Sequence, residues 1–139
     1  MRYWDSSAII SLLVEEPESG GRAELLRQDP RVVTWWASRV ECASALNRLC
    51  REMVLDEAGL SQALRNFESL LEACTEVLPS EEVRRRALRL LRIHPLRAAD
   101  ALQLAAALAA AREDPSSLPL VTSDERLRQA AAREGFKIL

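Results

Sequence analysis

The sequence predicts an α/β fold of three layers, α/β/α, with a central parallel sheet of four to five strands. Short apolar runs alternate with longer amphipathic stretches from one end of the chain to the other. Proline cannot continue a helix, and most prolines fall between the predicted elements, at positions 17, 30, 79, 95 and 115. No linker interrupts the 139 residues, so we expect a single domain over residues 1–139.

Strands are predicted where three to five residues form a mainly apolar run bounded by Pro, Gly or Ser, or where such a run opens the chain. The predicted strands are Arg2 to Trp4, Val32 to Trp35, Thr75 to Leu78, Leu118 to Thr122 and Phe136 to Leu139. Amphipathic stretches separate them, as the crossovers between parallel strands require.

Helices are predicted where apolar side chains recur every three or four residues. The predicted helices lie near Ser6 to Val14, Gly20 to Arg27, Ser38 to Met53, Glu57 to Leu71, Glu81 to Ile93, Ala98 to Arg112 and Glu125 to Glu134. Helices between all successive strands predict that both faces of the sheet are covered.

Composition narrows the function classes. A net charge of −2 argues against a non-specific nucleic-acid coat protein, which would normally be basic. The three cysteines form no Cys-x-x-Cys pair and there is one histidine, His94, so a zinc site is not expected and any metal would have oxygen ligands. His94 precedes Pro95 and has no visible partner in the sequence, so a general-base role is not expected. Reduced thiols, no signal peptide and no apolar span indicate a cytoplasmic protein without a membrane segment.

Two aspartates follow predicted strands. Asp5 comes directly after the first strand, and Asp124 follows the fourth as Thr122-Ser123-Asp124. In open α/β sheets ligands bind beyond the carboxyl ends of the strands. Either residue could instead be a helix N-cap, a role that Asp commonly fills. Their pairing at two equivalent strand ends favours a site.

Asp100 lies in an otherwise apolar helix. Counting four, seven and eight residues onward gives Leu104, Ala107 and Leu108, so the pattern places Asp100 on the buried face. An unpaired carboxylate there would cost several kcal/mol. Protonation, a partner such as Arg97 or a bound cation would each remove that cost, and the first helical turn favours the ionised form that a metal needs.

Glu41 is a weaker candidate when taken alone. Ser38-Arg39-Val40-Glu41 matches the S-x-x-E capping box, in which the Glu side chain accepts from the backbone N–H of the cap residue. A solvated helix face is a second alternative. Only the other three acids, together with the family resemblance described below, make Glu41 a candidate ligand.

Four stretches of the sequence occur in an order and spacing typical of one known family. They are Trp4-Asp5-Ser6-Ser7-Ala8, Glu41 early in the third helix, Arg97 to Leu102, and Leu120 to Asp124 followed by Leu127, Ala130, Ala131 and Gly135-Phe136. In these stretches the chain resembles the PIN-domain family, in particular its VapC-type toxins, over nearly its full length. The resemblance implies a PIN-like fold.

The resemblance also implies an activity: a Mg²⁺- or Mn²⁺-dependent endoribonuclease, the toxin of a type II toxin–antitoxin system, which hydrolyses RNA through a metal-activated water. The residues implied are Asp5, Glu41, Asp100 and Asp124 as metal ligands, Ser6 and Thr122 as supporting residues and Arg97 as a candidate RNA contact. Mg²⁺ prefers such oxygen ligands and takes few carboxylates directly. Crowding of the acids without metal should raise at least one pKa.

The partners implied are an RNA substrate, a second copy of the chain and a cognate antitoxin, which we expect on the first four predicted helices. One departure is Gln103, where many relatives carry His. Because that position is not among the metal-binding acids, we expect no loss of activity from it.

Two alternative functions share features with this sequence. A receiver-like signalling domain needs a phosphoacceptor Asp at the end of its third strand, but that strand ends in Val77-Leu78-Pro79-Ser80. A catalytically silent PIN-fold scaffold would be indicated by loss of one or more acids. All four acids are present, which favours the enzyme.

Overall fold

The computed structural model describes residues 1–17 and 19–139, and this described part forms four strands and seven α-helices. The strands are β1 (Arg2–Trp4), β2 (Val32–Trp35), β3 (Thr75–Val77) and β4 (Leu120–Val121). The helices are α1 (Ser6–Leu13), α2 (Ser19–Gln28), α3 (Ser38–Arg51), α4 (Glu57–Glu72), α5 (Glu81–Ile93), α6 (Ala98–Ala110) and α7 (Glu125–Arg133). A short 3₁₀ turn, Pro115–Ser117, precedes β4.

The sheet is parallel throughout, with the strand order β3-β2-β1-β4. Tyr3 of β1 pairs with Val33 on one side and with Leu120 on the other. The chain therefore adds β2 and β3 on one side of β1 and then returns to place β4 on the other side. This reversal puts the carboxyl ends of β1 and β4 beside each other, where open α/β sheets bind ligands.

Successive side chains of each strand enter different cores, because strand side chains alternate between faces. Tyr3 packs in a core with α5, α6 and α7, whereas Trp4 packs in a second core with α1, α3 and α4. Leu120 and Val121 of β4 divide in the same way. Two cores on opposite faces confirm the predicted three-layer α/β/α architecture.

The helices begin and end within two residues of the predicted positions. Helix α6 is the most deeply buried, because its alanines allow close packing against the sheet and α5. In the described ranges, no helix combines the length and the apolar character needed to cross a bilayer.

The predicted fifth strand, Phe136 to Leu139, is reduced to a single parallel bridge between Ile138 and Leu120. The Leu120 N–H donates to the Lys137 carbonyl (2.9 Å), and the Leu139 N–H donates to the Leu120 carbonyl (3.0 Å). Because β4 has only two residues, the ladder cannot extend further. The sheet therefore has four strands, with the C-terminus lying along its β4 edge.

Candidate active site

One cavity of about 410 Å³ has all four predicted acids in its wall. The residues that line it are Asp5, Ser6, Ser7, Ile10, Glu16, Glu41, Ala45, Arg48, Asp100, Ser123 and Asp124. Asp5 and Asp124 follow the adjacent strands β1 and β4, Glu41 comes from α3 and Asp100 from α6. The topology thus brings together residues from the beginning, middle and end of the chain.

Asp5 is both a helix cap and a wall of the cavity. It is the N-cap of α1, and its Oδ1 accepts from the Ala8 N–H at 3.1 Å. The side chain of this residue is buried, with 4% of the residue exposed. Burial raises the pKa of Asp5 to about 6, although hydrogen bonds from Ser7 and the backbone act in the opposite direction. The capping and site interpretations are therefore compatible.

Asp124 has the same dual position on the neighbouring strand. It is the N-cap of α7, and its Oδ1 accepts from the Leu127 N–H at 2.8 Å. Its own N–H donates to Oγ1 of Thr122 at 3.0 Å. Thr122 is fully buried, and its hydroxyl lies 3.4 Å from that of Ser7. Thr122 therefore fixes the turn that carries Asp124 rather than pointing at open solvent.

Asp100 is half-buried in the first turn of α6, whereas its helical neighbours Leu104 and Leu108 are buried as predicted. Its Oδ2 accepts from the backbone N–H of Arg97 at 3.3 Å. Burial raises the pKa of Asp100, and the negative charge of Asp124 raises it further. Arg97 and Arg126 act in the opposite direction. The carboxylates of Asp100 and Asp124 are thus close enough to affect each other.

The capping-box alternative for Glu41 is wrong. Helix α3 has Ala37 as its N-cap, without a side-chain hydrogen bond, and Ser38 is already its first helical residue. The Ser38 hydroxyl instead lies 2.8 Å from that of Thr34. The Glu41 carboxylate accepts from the hydroxyl of Ser6. Ser6 therefore contacts a predicted metal ligand directly.

Two residues that the sequence analysis did not assign to the site contact its acids. Ser7 donates to both carboxylate oxygens of Asp5, at 2.8 and 3.0 Å. The amide nitrogen of Gln103 donates to Oε2 of Glu41 at 2.9 Å, so the position that departs from many relatives lies beside the acids. A buried glutamine in an alanine-rich helix was the available signal, because buried polar groups need partners.

Cations flank the acids on two sides. Arg48 of α3 lines the acidic cavity, and an adjoining cavity of about 350 Å³ shares Asp100 and Asp124 with it. The adjoining cavity is also lined by Arg97 and Arg126. In the described part of the chain, no ion pair joins any of these three arginines to an acid. They are available to contact an anion.

His94 lies outside this cavity and has a partner, contrary to the sequence interpretation. Its Nε2 lies 2.7 Å from Oε1 of Glu134, which follows α7. This contact between the ends of α5 and α7 could not be predicted from the sequence, because the two residues lie 40 positions apart. The histidine belongs to the packing of those helices.

The donor set fits a hard divalent cation. The cavity wall offers carboxylate and hydroxyl oxygens and no thiol or imidazole, which is the set that Mg²⁺ and Mn²⁺ prefer. Among residues 1–17 and 19–139, no three acids, cysteines or histidines are placed to enclose an ion directly. Mg²⁺ usually takes only one or two carboxylates directly and keeps several of its waters.

Comparison with known proteins identifies the family. Residues 2–133 match the family model described as PIN domain. Ribonuclease VapC45 and Ribonuclease VapC49 of Mycobacterium tuberculosis are each 32% identical to the chain over 136 residues, which is 98% of this chain and 92% of theirs.

Solved structures share the fold. One is Mycobacterium tuberculosis VapC20, described as a toxin that cleaves the sarcin-ricin loop (TM-score 0.70, 18% identity, 98% of this chain and 96% of that one). Another is a toxin–antitoxin complex from Klebsiella pneumoniae (TM-score 0.64, 16% identity, 89% and 87% covered). The chain belongs to the PIN-domain family and, within it, to the ribonucleases named VapC.

Proposed function

We propose that this protein is an endoribonuclease that depends on Mg²⁺ or Mn²⁺, with Asp5, Glu41, Asp100 and Asp124 as the acids that hold the ion. The observation that carries the proposal is that these carboxylates, from four different elements, line one cavity. Gathering negative charge where burial raises the pKa of Asp5 and of Asp100 costs free energy. A divalent cation would remove that cost.

The chain's own residues would hold the site ready for the ion. Ser7 and the Ala8 N–H orient the Asp5 carboxylate, and Ser6 holds one oxygen of Glu41. The Thr122 hydroxyl fixes the backbone of Asp124. When bound, Mg²⁺ or Mn²⁺ supplies Lewis-acid chemistry, which neutralises charge on a phosphate and makes water more acidic.

RNA would lie across the acidic cavity, with its phosphates contacting cations on either side. Arg48 lies on one side of the acids, and Arg97 and Arg126 line the adjoining cavity on the other. Arginine binds phosphate well because its planar guanidinium can donate two parallel hydrogen bonds. Hydrolysis by water would leave a 5′-phosphate and a 3′-hydroxyl.

An antitoxin partner belongs to the same proposal. Structures with this fold include a toxin–antitoxin complex from Klebsiella pneumoniae and VapBC2 from Rickettsia felis. Helices α1, α2 and α4 of this chain enclose an apolar groove of about 520 Å³, near the predicted antitoxin surface. Leu12, Leu13, Leu26 and Leu70 line the groove. An amphipathic helix of an antitoxin could bury its apolar face there.

We also propose that the protein forms a homodimer and acts in the cytoplasm. Helix α5 leaves Leu88 and Ile93 more than half exposed, at 59% and 53%, and Trp36 is 48% exposed. Trp is enriched at interfaces between protein chains, and exposed apolar patches mark interaction sites. Analytical ultracentrifugation of the wild type and of Leu88→Glu tests the dimer.

The catalytic proposal is tested with fluorescently labelled single-stranded RNA. Wild-type protein should cleave it with Mg²⁺ or Mn²⁺ and stop in EDTA, and Mn²⁺ should raise its melting temperature by mass action. Asp100→Asn should lose cleavage and most of the Mn²⁺ effect, whereas the exposed control Asp114→Asn should keep both. Full cleavage by Asp100→Asn, or by wild type in EDTA, would contradict the proposal. A folded wild type without turnover would favour the scaffold alternative.

A further inference from the structure

A buried hydrogen-bond network joins Gln103 to the acid Glu41. Gln103 lies on α6 with 2% of its surface exposed. Its Oε1 accepts from the hydroxyl of Tyr3 at 2.7 Å. Its Nε2 lies 2.9 Å from Oε2 of Glu41, 2.8 Å from Oγ of Ser6 and 3.0 Å from Oγ of Ser38, and it shares its two protons among these three acceptors. One amide therefore links β1, α1 and α3.

The orientation of this amide follows from its neighbours. A carboxylate can only accept, so the NH₂ group of Gln103 must face Glu41. Tyr3 can then donate its hydroxyl proton to the amide oxygen, which lies 2.7 Å away. Reversing the amide would place two acceptors against each other.

Ser38 supports the same orientation. The Thr34 hydroxyl donates to the Trp4 carbonyl at 2.8 Å and lies 2.8 Å from the Ser38 hydroxyl. A hydroxyl has one proton, so Ser38 donates to Thr34 and accepts from Gln103. Two branches of donors therefore pass through Gln103. One runs from Tyr3 through the amide to Glu41, and the other runs from the amide through Ser38 and Thr34 to the Trp4 carbonyl.

This network gives the two carboxylate oxygens of Glu41 different hydrogen-bonding environments. Oε2 accepts from both Ser6 and Gln103. Within residues 1–17 and 19–139, Oε1 receives no hydrogen bond. Fixing one oxygen restricts the rotation of the carboxylate and keeps the other available to a cation or water in the cavity.

We propose that Gln103, locked by Tyr3, is a positioning residue that orients Glu41 for divalent-metal binding and RNA hydrolysis. This inference rests on the function proposed above. It predicts that removing the amide weakens metal binding and turnover without weakening RNA binding, because Gln103 lies beneath Glu41 and does not line the cavity.

Four variants of the full chain test the inference. Gln103→Leu keeps the size of the side chain but removes its donors and acceptor. Tyr3→Phe removes only the hydroxyl that donates to the amide oxygen. It replaces Gln103→Leu as the test if that variant fails to fold. Gln103→His, measured at pH 8 with a neutral imidazole, supplies a donor and an acceptor at similar spacing. Gln129→Leu makes the same replacement on the exposed side of α7 and is the control.

The measurements are kcat and KM for single-stranded RNA per folded molecule, and Mn²⁺ affinity without RNA by electron paramagnetic resonance. Gln103→Leu should lower kcat about 10- to 100-fold, the range for a lost hydrogen bond to a charged group, with KM changed by less than about twofold. Its Mn²⁺ affinity should fall at least several-fold. Tyr3→Phe should change both in the same direction but less, Gln103→His should recover most of the loss, and Gln129→Leu should match wild type.

Wild-type kcat and Mn²⁺ affinity in Gln103→Leu would overturn the inference, as would the same result in Tyr3→Phe if the first variant does not fold. An equal loss in the control Gln129→Leu would also overturn it. In both cases the proposed function would stand, because the wild type still binds Mn²⁺ and cleaves RNA. A wild type that does neither would overturn the proposed function and this inference together.

Discussion

The backbone N–H of Ser123 donates to the hydroxyl of Ser7 at 2.9 Å, across 116 positions of the sequence. The same hydroxyl donates to the Asp5 carboxylate. Ser7 therefore joins the acid that follows β1 to the turn that carries Asp124 after β4. These two strands are neighbours only because the chain reverses its direction of strand addition at β1.

Ser7→Ala should lower kcat about 10-fold and the free energy of unfolding by about 1–2 kcal/mol, because it leaves the Ser123 N–H and the Asp5 carboxylate without this partner. Steady-state RNA cleavage and urea unfolding measure the two effects. Ser116→Ala is the matched control, since Ser116 is an exposed serine that also donates to an aspartate. Equal kcat values for the two variants would contradict the bridging role of Ser7.

Capping and catalysis can be separated at Asp124, because Asp56 is a similar N-cap outside the cavity. Asp124→Asn should keep the cap but lose RNA cleavage, whereas Asp124→Ala should lose cleavage and about 1 kcal/mol of stability. Asp56→Ala should lose a similar stability without any loss of kcat. RNA cleavage and chemical unfolding check these outcomes. Full activity in Asp124→Asn would mean that Asp124 is only a cap.

Metal-free stability should depend on the protonation of Asp5. Its pKa is raised from 3.8 to about 6 by burial, so the folded state holds a proton that the unfolded state has already released. This contribution is fully present below about pH 4 and is lost as pH rises through about 6. Above about pH 6, the free energy of unfolding of wild type should be lower by up to about 3 kcal/mol, whereas Asp5→Asn has no carboxyl to ionise and should not lose this contribution.

Urea unfolding in EDTA at pH 4.5 and pH 7.5 measures this effect. The stability of Asp5→Asn relative to wild type should increase between the two pH values, since all other groups are shared. Adding Mn²⁺ at pH 7.5 should make wild type more stable than Asp5→Asn, because the ion binds the ionised carboxylate. A difference between the proteins that stays constant with pH would contradict the raised pKa of Asp5.

Arg48 and Arg126 should contribute to RNA affinity through phosphate contacts. Replacing either by Gln should raise KM, with little change in kcat, and reduce the dependence of log KM on log salt by about 0.7 for each lost contact with a single strand. KM values between low and moderate salt provide the measurement. Arg85→Gln is the control, because Arg85 is exposed on α5 and does not line either cavity. The same salt dependence in all three variants would exclude this role.

Local patterns in the sequence predicted the helices and the strands and marked Asp5, Asp100 and Asp124 as candidates, whereas Glu41 became a candidate only through the other acids and the family resemblance. Helical and strand periods, prolines and apolar runs are properties of neighbouring residues, so they can be read without knowing what packs against them. The same sequence patterns suggested a capping box at Ser38 and Glu41. The residue types match that motif, but the structure does not form it, because the Ser38 hydroxyl bonds Thr34 and Gln103 instead. The predicted fifth strand also failed, since β4 is too short to pair with it for more than one residue.

The sequence by itself determined the α/β class and marked Asp5 and Asp124 as residues at strand ends. Only the tertiary structure decided that Ser7 bonds the Ser123 backbone and that Gln103 bonds Glu41. Both contacts join residues more than 60 positions apart. These two contacts form only because of the order of the strands and the face of the sheet that each helix covers. No short stretch of sequence specifies the strand order or the placement of the helices.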